Sequence, residues 1–183
     1  MGLKNKIYRG YLYFLTLTVI DWVDIFTRPD YKHIIVDSLR HCQNEKGLEL
    51  YAWCLMSNHL HLIAAVHEEN RYTLSDILRD FKKFTSKKIV KTIQEIPESR
   101  RRWMLYRFEF AGKYQKKIKN HQFWRNGNEA KEIHTNHFLG QKLNYIHQNP
   151  VTAEIVDEPE AYLYSSARDY AGIKGLLDVI IIE

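Results

Sequence analysis

Residues 48–66 have the sequence LELYAWCLMSNHLHLIAAV, which predicts a β-hairpin around which the rest of the chain folds. The first arm, residues 48–56, is apolar and rich in strand-favouring residues, and Ser57-Asn58 is short enough for a tight turn. The second arm then returns antiparallel to the first. Because alternate residues of a strand face opposite sides, His59 and His61 leave one face of the sheet while Leu60 enters the core.

This His-Leu-His tripeptide is the first candidate functional feature of the chain. Two imidazoles on one face of a strand form a ready pair of metal ligands. Imidazole suits zinc and other transition metals as well as harder ions, so the spacing alone leaves the metal open.

Strand and helix patterns alternate on both sides of the hairpin. Strands are predicted over residues 11–18, 48–56 and from His59 onward, and helices over 29–46, 73–96, 99–119 and 136–149. Pro150 should end the last of these helices, and Asn126-Gly127 predicts a short hairpin between residues 122 and 133. The order strand, helix, strand, strand, helix, strand is typical of an α+β, ferredoxin-like antiparallel sheet with helices on one face.

Length and composition favour one globular domain, which we place at residues 1–159, followed by a C-terminal tail, residues 160–183. The two cysteines, Cys42 and Cys54, have neither the spacing of a zinc site nor that of a disulfide framework. The apolar stretch at residues 11–20 is too short to span a membrane and lacks a cleavage site. We therefore expect a cytoplasmic protein with no membrane partner.

Basic residues are concentrated in one part of the chain. Residues 79–125 hold 15 Lys/Arg and 4 Asp/Glu, a net charge of +11, whereas the other 136 residues hold 12 and 18, a net charge of −6. A run of this kind is often only a solvated helix face. Its size and its interleaved aromatic residues also suit a nucleic-acid-binding surface.

The helix predicted over residues 136–149 presents a phenol and an amide together. Its buried stripe consists of Leu139, Leu143 and Ile146. At about 100° per residue, Tyr145 and Asn149 lie within about 40° of each other, on a flank of that stripe. Gln148 lies about 60° from Tyr145 on the other side and is a poorer match, although it stays an alternative. Most tyrosines only pack with their hydroxyl at the surface, so Tyr145 gains interest only together with the histidines.

Three motifs in this order resemble one protein family. They are Met56-Ser57-Asn58-His59-Leu60-His61, Tyr145-Ile146-His147-Gln148-Asn149-Pro150-Val151 and Tyr162-Leu163-Tyr164-Ser165-Ser166. The chain is similar, over about residues 8–170, to the HUH single-tyrosine transposases, specifically the REP-associated tyrosine transposases of the insertion-sequence-200-like group. That family often has Pro in place of Ser57, Arg-Ala-Gly at 152–154 and Trp in place of Tyr164. These departures affect turns and packing rather than the implied ligands.

The resemblance implies a site and a reaction. His59 and His61 would be two ligands of a divalent metal, Asn149 the third, and Tyr145 the nucleophile. Family members use Mg²⁺, often replaceable by Mn²⁺. The implied enzyme is a transposase that nicks single-stranded DNA and transfers strands through a 5′-phosphotyrosyl intermediate, on hairpins such as repetitive extragenic palindromes. The helix with Tyr145 would follow the ferredoxin-like core and precede the tail.

The basic block supplies our candidates for DNA contacts. They are Lys82, Lys83, Lys87, Lys91, Arg100, Arg101 and Arg102. Phosphate contacts from such side chains give an affinity that weakens with salt. A bacterial DNA-acting enzyme of this kind would be cytoplasmic and associated with the nucleoid when bound to DNA.

Two other functions stay open from the sequence. A non-catalytic protein on the same sheet would bind nucleic-acid hairpins without forming an adduct, and a metal-dependent hydrolase would use His59 and His61 without a protein nucleophile. Homodimer and monomer also stay open, because both occur in the family. The remaining histidines of interest are expected at the surface or as caps, and they are His67, His121, His134, His137 and His147.

Overall fold

The fold is built on a four-stranded antiparallel sheet. A computed structural model describes residues 7–113 and 121–182. The strands are β1 (Tyr13–Thr18), β2 (Leu48–Leu55), β3 (His59–Val66) and β4 (Lys131–Glu132), arranged in the order β2-β3-β1-β4. This is the strand order of the ferredoxin-like arrangement, so the predicted α+β class is confirmed.

Helices cover both faces of the sheet. They are α1 (Pro29–Lys46), α2 (Leu74–Glu95), α3 (Arg101–Lys113), α4 (Asn136–Thr152) and α5 (Ala167–Tyr170). The helices α1 and α2 pack side by side over the face that carries Leu60 and Leu62, both fully buried, and α4 packs over the opposite face of β2 and β3. The predicted helix over 99–119 ends at Lys113 within the described residues, and positions 114–119 lie outside them.

Local sequence signals set the ends of the two long helices. Gly47 ends α1 in the left-handed conformation, with φ 69°, and the Asn70 side chain lies where a Cβ would stand. Thr73 begins α2 with a capping box: its hydroxyl accepts from the Asp76 backbone N–H, and the Asp76 carboxylate accepts from the Thr73 N–H. Both helices therefore have the bounds that the sequence predicts to within about two residues.

The predicted hairpin around Asn126-Gly127 is wrong. Trp124 and β4 do not pair with each other but lie in turn along β1, where Trp124 bridges Val19 and Lys131 pairs with Phe14. Residues 122–132 thus run along the edge of β1 and of Val19, which follows it, and pair with this edge near both ends. The open edge of β1 offers a longer row of backbone partners than the two short arms offer each other.

The helix α4 does not stop before Pro150 but continues to Thr152. Pro150 lacks an N–H, so the helix loses one internal hydrogen bond at this position. The proline lies within the last turn, where the carbonyl oxygens of Asn149 and Pro150 still accept from Ala153 and Ile155. Its ring is buried, and this packing favours the helical conformation over the sequence's stop signal.

Residues 160–182, which the sequence predicts as a tail, pack along the free edge of β2. The Leu55 N–H donates to the Tyr164 carbonyl, the Ser166 N–H donates to the Trp53 carbonyl, and the Ile180 N–H donates to Leu50. This segment covers an edge strand that would otherwise expose its backbone polar groups. No helix of the described ranges 7–113 and 121–182 is long and apolar enough to cross a membrane.

The same segment buries His147, which the sequence predicts at the surface or as a cap. The His147 Nε2 lies 2.9 Å from the Ser166 hydroxyl, and its ring packs edge-on against Tyr170. Burial lowers the pKa of His147 to about 4. Of the other four histidines, three are exposed and one is half-buried; the exposed ones are His67, His134 and His137, and the half-buried one is His121.

Candidate active site

The two histidines of β3 lie side by side on the face that α4 covers. Their rings are 4.6 Å apart between centroids, at 71° to each other. In the ladder with β1, His61 is opposite Thr16 and His59 is opposite Thr18. The strand alternation that the sequence predicts is therefore present, and both imidazoles point to one side of the sheet.

Each histidine is held through its Nδ1 atom. The His59 Nδ1 lies 2.7 Å from the Asn58 amide oxygen, and the His61 Nδ1 lies 3.0 Å from the Thr16 hydroxyl. The Asn58 amide nitrogen donates to the Asp24 carboxylate. This hydrogen bond orients the Asn58 amide so that its oxygen faces His59. The Asn58 oxygen can only accept, so the His59 Nδ1 carries the proton and its Nε2 keeps its lone pair. The Thr16 hydroxyl can accept from the His61 Nδ1, which is the tautomer that leaves the His61 Nε2 free to bind a metal. This is the orientation in which outer-shell hydrogen bonds usually hold metal-binding histidines.

Burial keeps both imidazoles neutral. It lowers the pKa of His59, against a smaller opposing effect of the Asp24 carboxylate. It also lowers the pKa of His61, with smaller contributions from His59 and Lys142, to about 3. The His61 Nε2 is buried and has no hydrogen-bond partner among the described residues. A buried nitrogen with a free lone pair is what a metal ion would satisfy.

Tyr145 of α4 packs against His61, on the side of the sheet that carries both histidines. Its ring is 5.2 Å from the His61 ring between centroids and 6.0 Å from that of Phe14, edge-on in both cases. The Lys142 ammonium lies 5.4 Å from the centre of the Tyr145 ring and 5.0 Å from that of Phe14. Tyr145 is 47% exposed, so a large part of this residue faces solvent.

Asn149 follows Tyr145 on α4 by about one helical turn. Leu139 shares a cavity with Ala65 at the far end of β3, and Tyr145 has advanced along the strand to His61. Asn149 is four residues further, about 6 Å along a helix. His59 is two residues from His61, about 6.6 Å along a strand. These similar spacings make Asn149 the candidate third ligand beside His59, and both residues are half-buried.

The donor set constrains which metal fits. Among the described residues, no cluster of three or more His, Cys, Asp or Glu side chains could hold a metal ion. An amide oxygen, such as that of Asn149, is a candidate third protein ligand beside the two histidines. Two neutral imidazoles and one oxygen suit a divalent ion and leave positions open for other ligands.

A known family shares the part of the chain that contains both histidines. A family model described as "Transposase IS200 like" matches residues 11–115, which make up more than half of the chain. The chain belongs to this family of transposases. Tyr145 and Asn149 lie beyond the matched range. No match was found among curated proteins.

Two solved structures are similar to this transposase. One is described as "Structure of the REP associates tyrosine transposase bound to a REP hairpin"; it has 17% identity and a TM-score of 0.62, over 98% of this chain and 92% of that one. The other is a protein of Deinococcus radiodurans R1 described as a candidate transposase, with 18% identity and a TM-score of 0.47, over 77% of this chain and 95% of that one. The first similarity confirms the fold of a tyrosine transposase.

The seven basic residues predicted to contact DNA divide into two groups in this transposase. Three of them are tied to backbone carbonyl groups. The Lys82 ammonium donates to Arg125 and Gly127, Arg100 donates to Asp24, and Arg101 donates to Ile93 and Ile96 at the end of α2. The other four are exposed, and they are Lys83, Lys87, Lys91 and Arg102.

A basic groove runs between α2 and residues 121–128. Its volume is about 1180 Å³, and six Lys/Arg residues but no Asp or Glu of the described chain line it. The six are Arg79, Lys82, Lys83, Lys87, Lys91 and Arg125. Because α2 covers the face of the sheet opposite the histidines, the groove and the histidine pair lie on opposite sides of the sheet.

Sequence reasoning missed several residues around the histidines. Lys142 is at i−3 from Tyr145, a spacing that already places the two side chains together on a helix. Asn58 is adjacent to His59 and could have been examined as its partner. Thr16 and Trp22 have no such signal, because only the strand register and the turn after β1 bring them to the site.

Proposed function

We propose that this transposase is a metal-dependent endonuclease and strand transferase for single-stranded DNA, acting through a 5′-phosphotyrosyl intermediate on hairpin-forming repeats. One observation carries the proposal. The ring of Tyr145 lies 5.2 Å from that of His61, whose buried Nε2 has no partner among the described residues. A candidate nucleophile that is partly exposed to solvent and a buried, unsatisfied candidate metal ligand thus lie side by side.

Three side chains would hold Mg²⁺ or Mn²⁺ in this proposal. His59 and His61 would use their Nε2 atoms, and Asn149 its amide oxygen. When bound, the ion would withdraw charge from the scissile phosphate and make it more electrophilic. The hydrogen bonds from the two histidines to Asn58 and Thr16 orient the rings before the metal arrives, which limits the entropic cost of binding.

Tyr145 would supply the covalent step. Its oxygen forms a bond to phosphorus as the bond from phosphorus to the 3′ oxygen breaks, and the phenol proton leaves while the departing 3′ oxygen takes one up. The product is a 5′-phosphotyrosyl strand and a free 3′-hydroxyl. Because the phosphodiester energy is kept in the adduct, a second 3′-hydroxyl can reverse the step and join strands without ATP. Lys142, beside the tyrosine ring, would attract the phosphate.

One chain would carry the complete site. Tyr145 lies beside the histidines of its own chain, so catalysis in cis needs no second subunit. The exposed lysines of the basic groove and Arg102 would hold the strand by its phosphates. A hairpin is proposed because the solved relative of the same fold is a complex with a REP hairpin. Work on such DNA would place the enzyme in the bacterial cytoplasm, at the nucleoid.

The test uses hairpin oligonucleotides, labelled at the 3′ end, that copy imperfect palindromes flanking the gene. Incubation with Mg²⁺ or Mn²⁺ followed by a denaturing gel should show a labelled band at the size of protein plus DNA. The band should be absent with chelator or in Tyr145→Phe. Salt-dependent binding without any adduct would instead support a non-catalytic hairpin-binding protein. Cleavage that persists in Tyr145→Phe would support a hydrolase without a protein nucleophile.

A further inference from the structure

Trp22 presents a large ring to solvent at the edge of the candidate site. It is 54% exposed, and its ring lies 6.1 Å from that of His59, at 77°. The Arg125 guanidinium lies 5.6 Å from the centre of the indole. An exposed aromatic ring therefore lies between a candidate metal ligand and a cation of the basic groove.

The backbone at this position is strained. Asp21 and Trp22 both have positive φ, 51° and 55°, a region that residues other than glycine seldom adopt. Contacts around the turn maintain it: Arg107 pairs with Asp21 at 2.8 Å, and the Asn58 amide donates to the Trp22 carbonyl. Because Trp22 is 54% exposed, burial of the residue in the core does not account for the strain. Strained residues of this kind cluster at ligand-binding positions.

The same turn is linked to the histidine and to the groove. Asn58 contacts both Trp22 and His59, so the position of the indole is coupled to that of the ligand. The Arg125 N–H donates to the Thr18 carbonyl, which fixes that residue at the edge of β1. A strand with a phosphate at the histidines would pass Trp22 and then Arg125 as it enters the groove.

We infer that Trp22 is the stacking platform for the unpaired base next to the phosphate held at the histidines, and that Arg125 leads the backbone from there into the basic groove. The inference deepens the proposed function and rests on it for the presence of single-stranded DNA at the site. Every base has a flat π face, so such a platform accepts single strands without demanding a particular base. It acts on binding and positioning rather than on the covalent step.

Binding can be separated from cleavage by working in full-length Tyr145→Phe protein. Fluorescence anisotropy would compare a labelled dT12 strand with a 12-residue abasic strand of equal charge. We expect dT12 to bind about five- to a hundred-fold more tightly, and Trp22→Gly to abolish most of this preference. Glycine removes the ring and accepts the positive φ, so the variant should unfold at no lower temperature than its parent. Trp22→Phe should restore most of the preference.

Trp103 of α3 provides the matched control, since it is 51% exposed on another element. Trp103→Ala should keep the preference for dT12. A preference that survives in Trp22→Gly, that is lost instead in Trp103→Ala, or that is absent from the parent would overturn the inference. Adduct formation is measured separately, in the protein that retains Tyr145. Loss of the preference in Trp22→Gly without any adduct in the parent enzyme would leave the platform standing and refute the nuclease.

Discussion

The edge of the Tyr145 ring meets the His61 ring at 5.2 Å and 70°, and this contact joins two elements that are distant in sequence. Tyr145 comes from α4 and His61 from β3, and Phe14 of β1 packs against both rings. The nucleophile of the proposed reaction is thus carried by a helix that packs on the sheet rather than by a loop. Sites on regular elements keep their geometry more precisely than sites on loops.

Metal affinity should depend on the Thr16 hydroxyl. Thr16→Val removes the partner of the His61 Nδ1 while keeping the shape of the side chain. Loss of an outer-shell partner usually weakens metal binding by about 10- to 100-fold. Calorimetric titration with Mn²⁺ should show a loss of this size, and His61→Ala should abolish binding.

Thr18→Val is the control on the same strand. The Thr18 hydroxyl is buried and has no hydrogen-bond partner among the described residues, so its removal should leave Mn²⁺ affinity within about two-fold. Equal affinities for Thr16→Val and the unmodified protein would show that this hydroxyl does not orient a ligand.

Arg101 and Arg102 should separate stability from binding. Arg101 donates to the Ile93 and Ile96 carbonyls at 2.9 and 2.5 Å and so caps the end of α2, whereas Arg102 is exposed. Arg101→Met should lower the free energy of unfolding by about 1–3 kcal/mol. For a chain of this size, each kcal/mol lowers Tm by about 2–4 °C.

Arg102→Met should leave Tm unchanged and weaken single-strand binding at low salt. Thermal unfolding followed by circular dichroism, together with anisotropy on dT12, checks both. If Arg101→Met retained the Tm of the unmodified protein, the capping role of that side chain would be refuted.

Much of this fold is encoded in local signals. The hairpin of β2 and β3, the glycine end of α1 at Gly47 and the Thr73 capping box of α2 all depend on residues close in sequence. The histidine pair and the spacing of Tyr145 and Asn149 are local patterns of the same kind. These features could therefore be predicted before any long-range contact was known.

The sequence-based predictions that were wrong concern residues whose positions depend on contacts between distant segments. The Asn126-Gly127 turn does not close a hairpin, because the residues after it pair with the open edge of β1 instead. His147 is buried by contacts with Ser166 and Tyr170 of the C-terminal segment. Trp22 reaches His59 only through a strained turn with no sequence signature. Pairing partners and tertiary burial, rather than propensity, decide these positions.

The exposed lysines of the basic groove should set the salt dependence of DNA binding. Lys83→Ala combined with Lys87→Ala removes two cations that line the groove and carry no hydrogen bond to a backbone carbonyl among the described residues. For single strands, log K decreases as log salt increases. The magnitude of this slope should become smaller by about 0.7 for each phosphate that is no longer neutralised. Anisotropy on dT12 between about 50 and 200 mM NaCl measures this slope. Lys174→Ala, exposed elsewhere, should leave it unchanged, and an unchanged slope in the double variant would remove the groove from the DNA path.

Glu98 should make the fold sensitive to acid. Its burial raises the pKa of the carboxyl, but hydrogen bonds from the Arg100 backbone and side chain and from the Tyr31 hydroxyl outweigh this and lower the pKa overall. Because the carboxyl has a lower pKa in the folded state, it stabilises the fold at pH values above its unfolded-state pKa of about 4.3. This stabilisation is lost as the pH falls through the folded-state pKa. Chemical unfolding at pH 6 and pH 3 should therefore show a smaller difference between Glu98→Gln and the unmodified protein at pH 3. Tyr31→Phe should reduce the pH dependence in part, and an identical difference at both pH values would contradict the assignment.

A covalent bond between DNA and the Tyr145 oxygen is the central expectation of the proposed function. The full-length protein would be incubated with Mn²⁺ and a hairpin substrate, digested, and examined by mass spectrometry for nucleotide-modified peptides. We predict a 5′-phosphonucleotide on the peptide that contains Tyr145, absent from the chelator control and from His61→Ala. A nicked hairpin with no modified tyrosine, or with the nucleotide on a different residue, would refute the proposed mechanism.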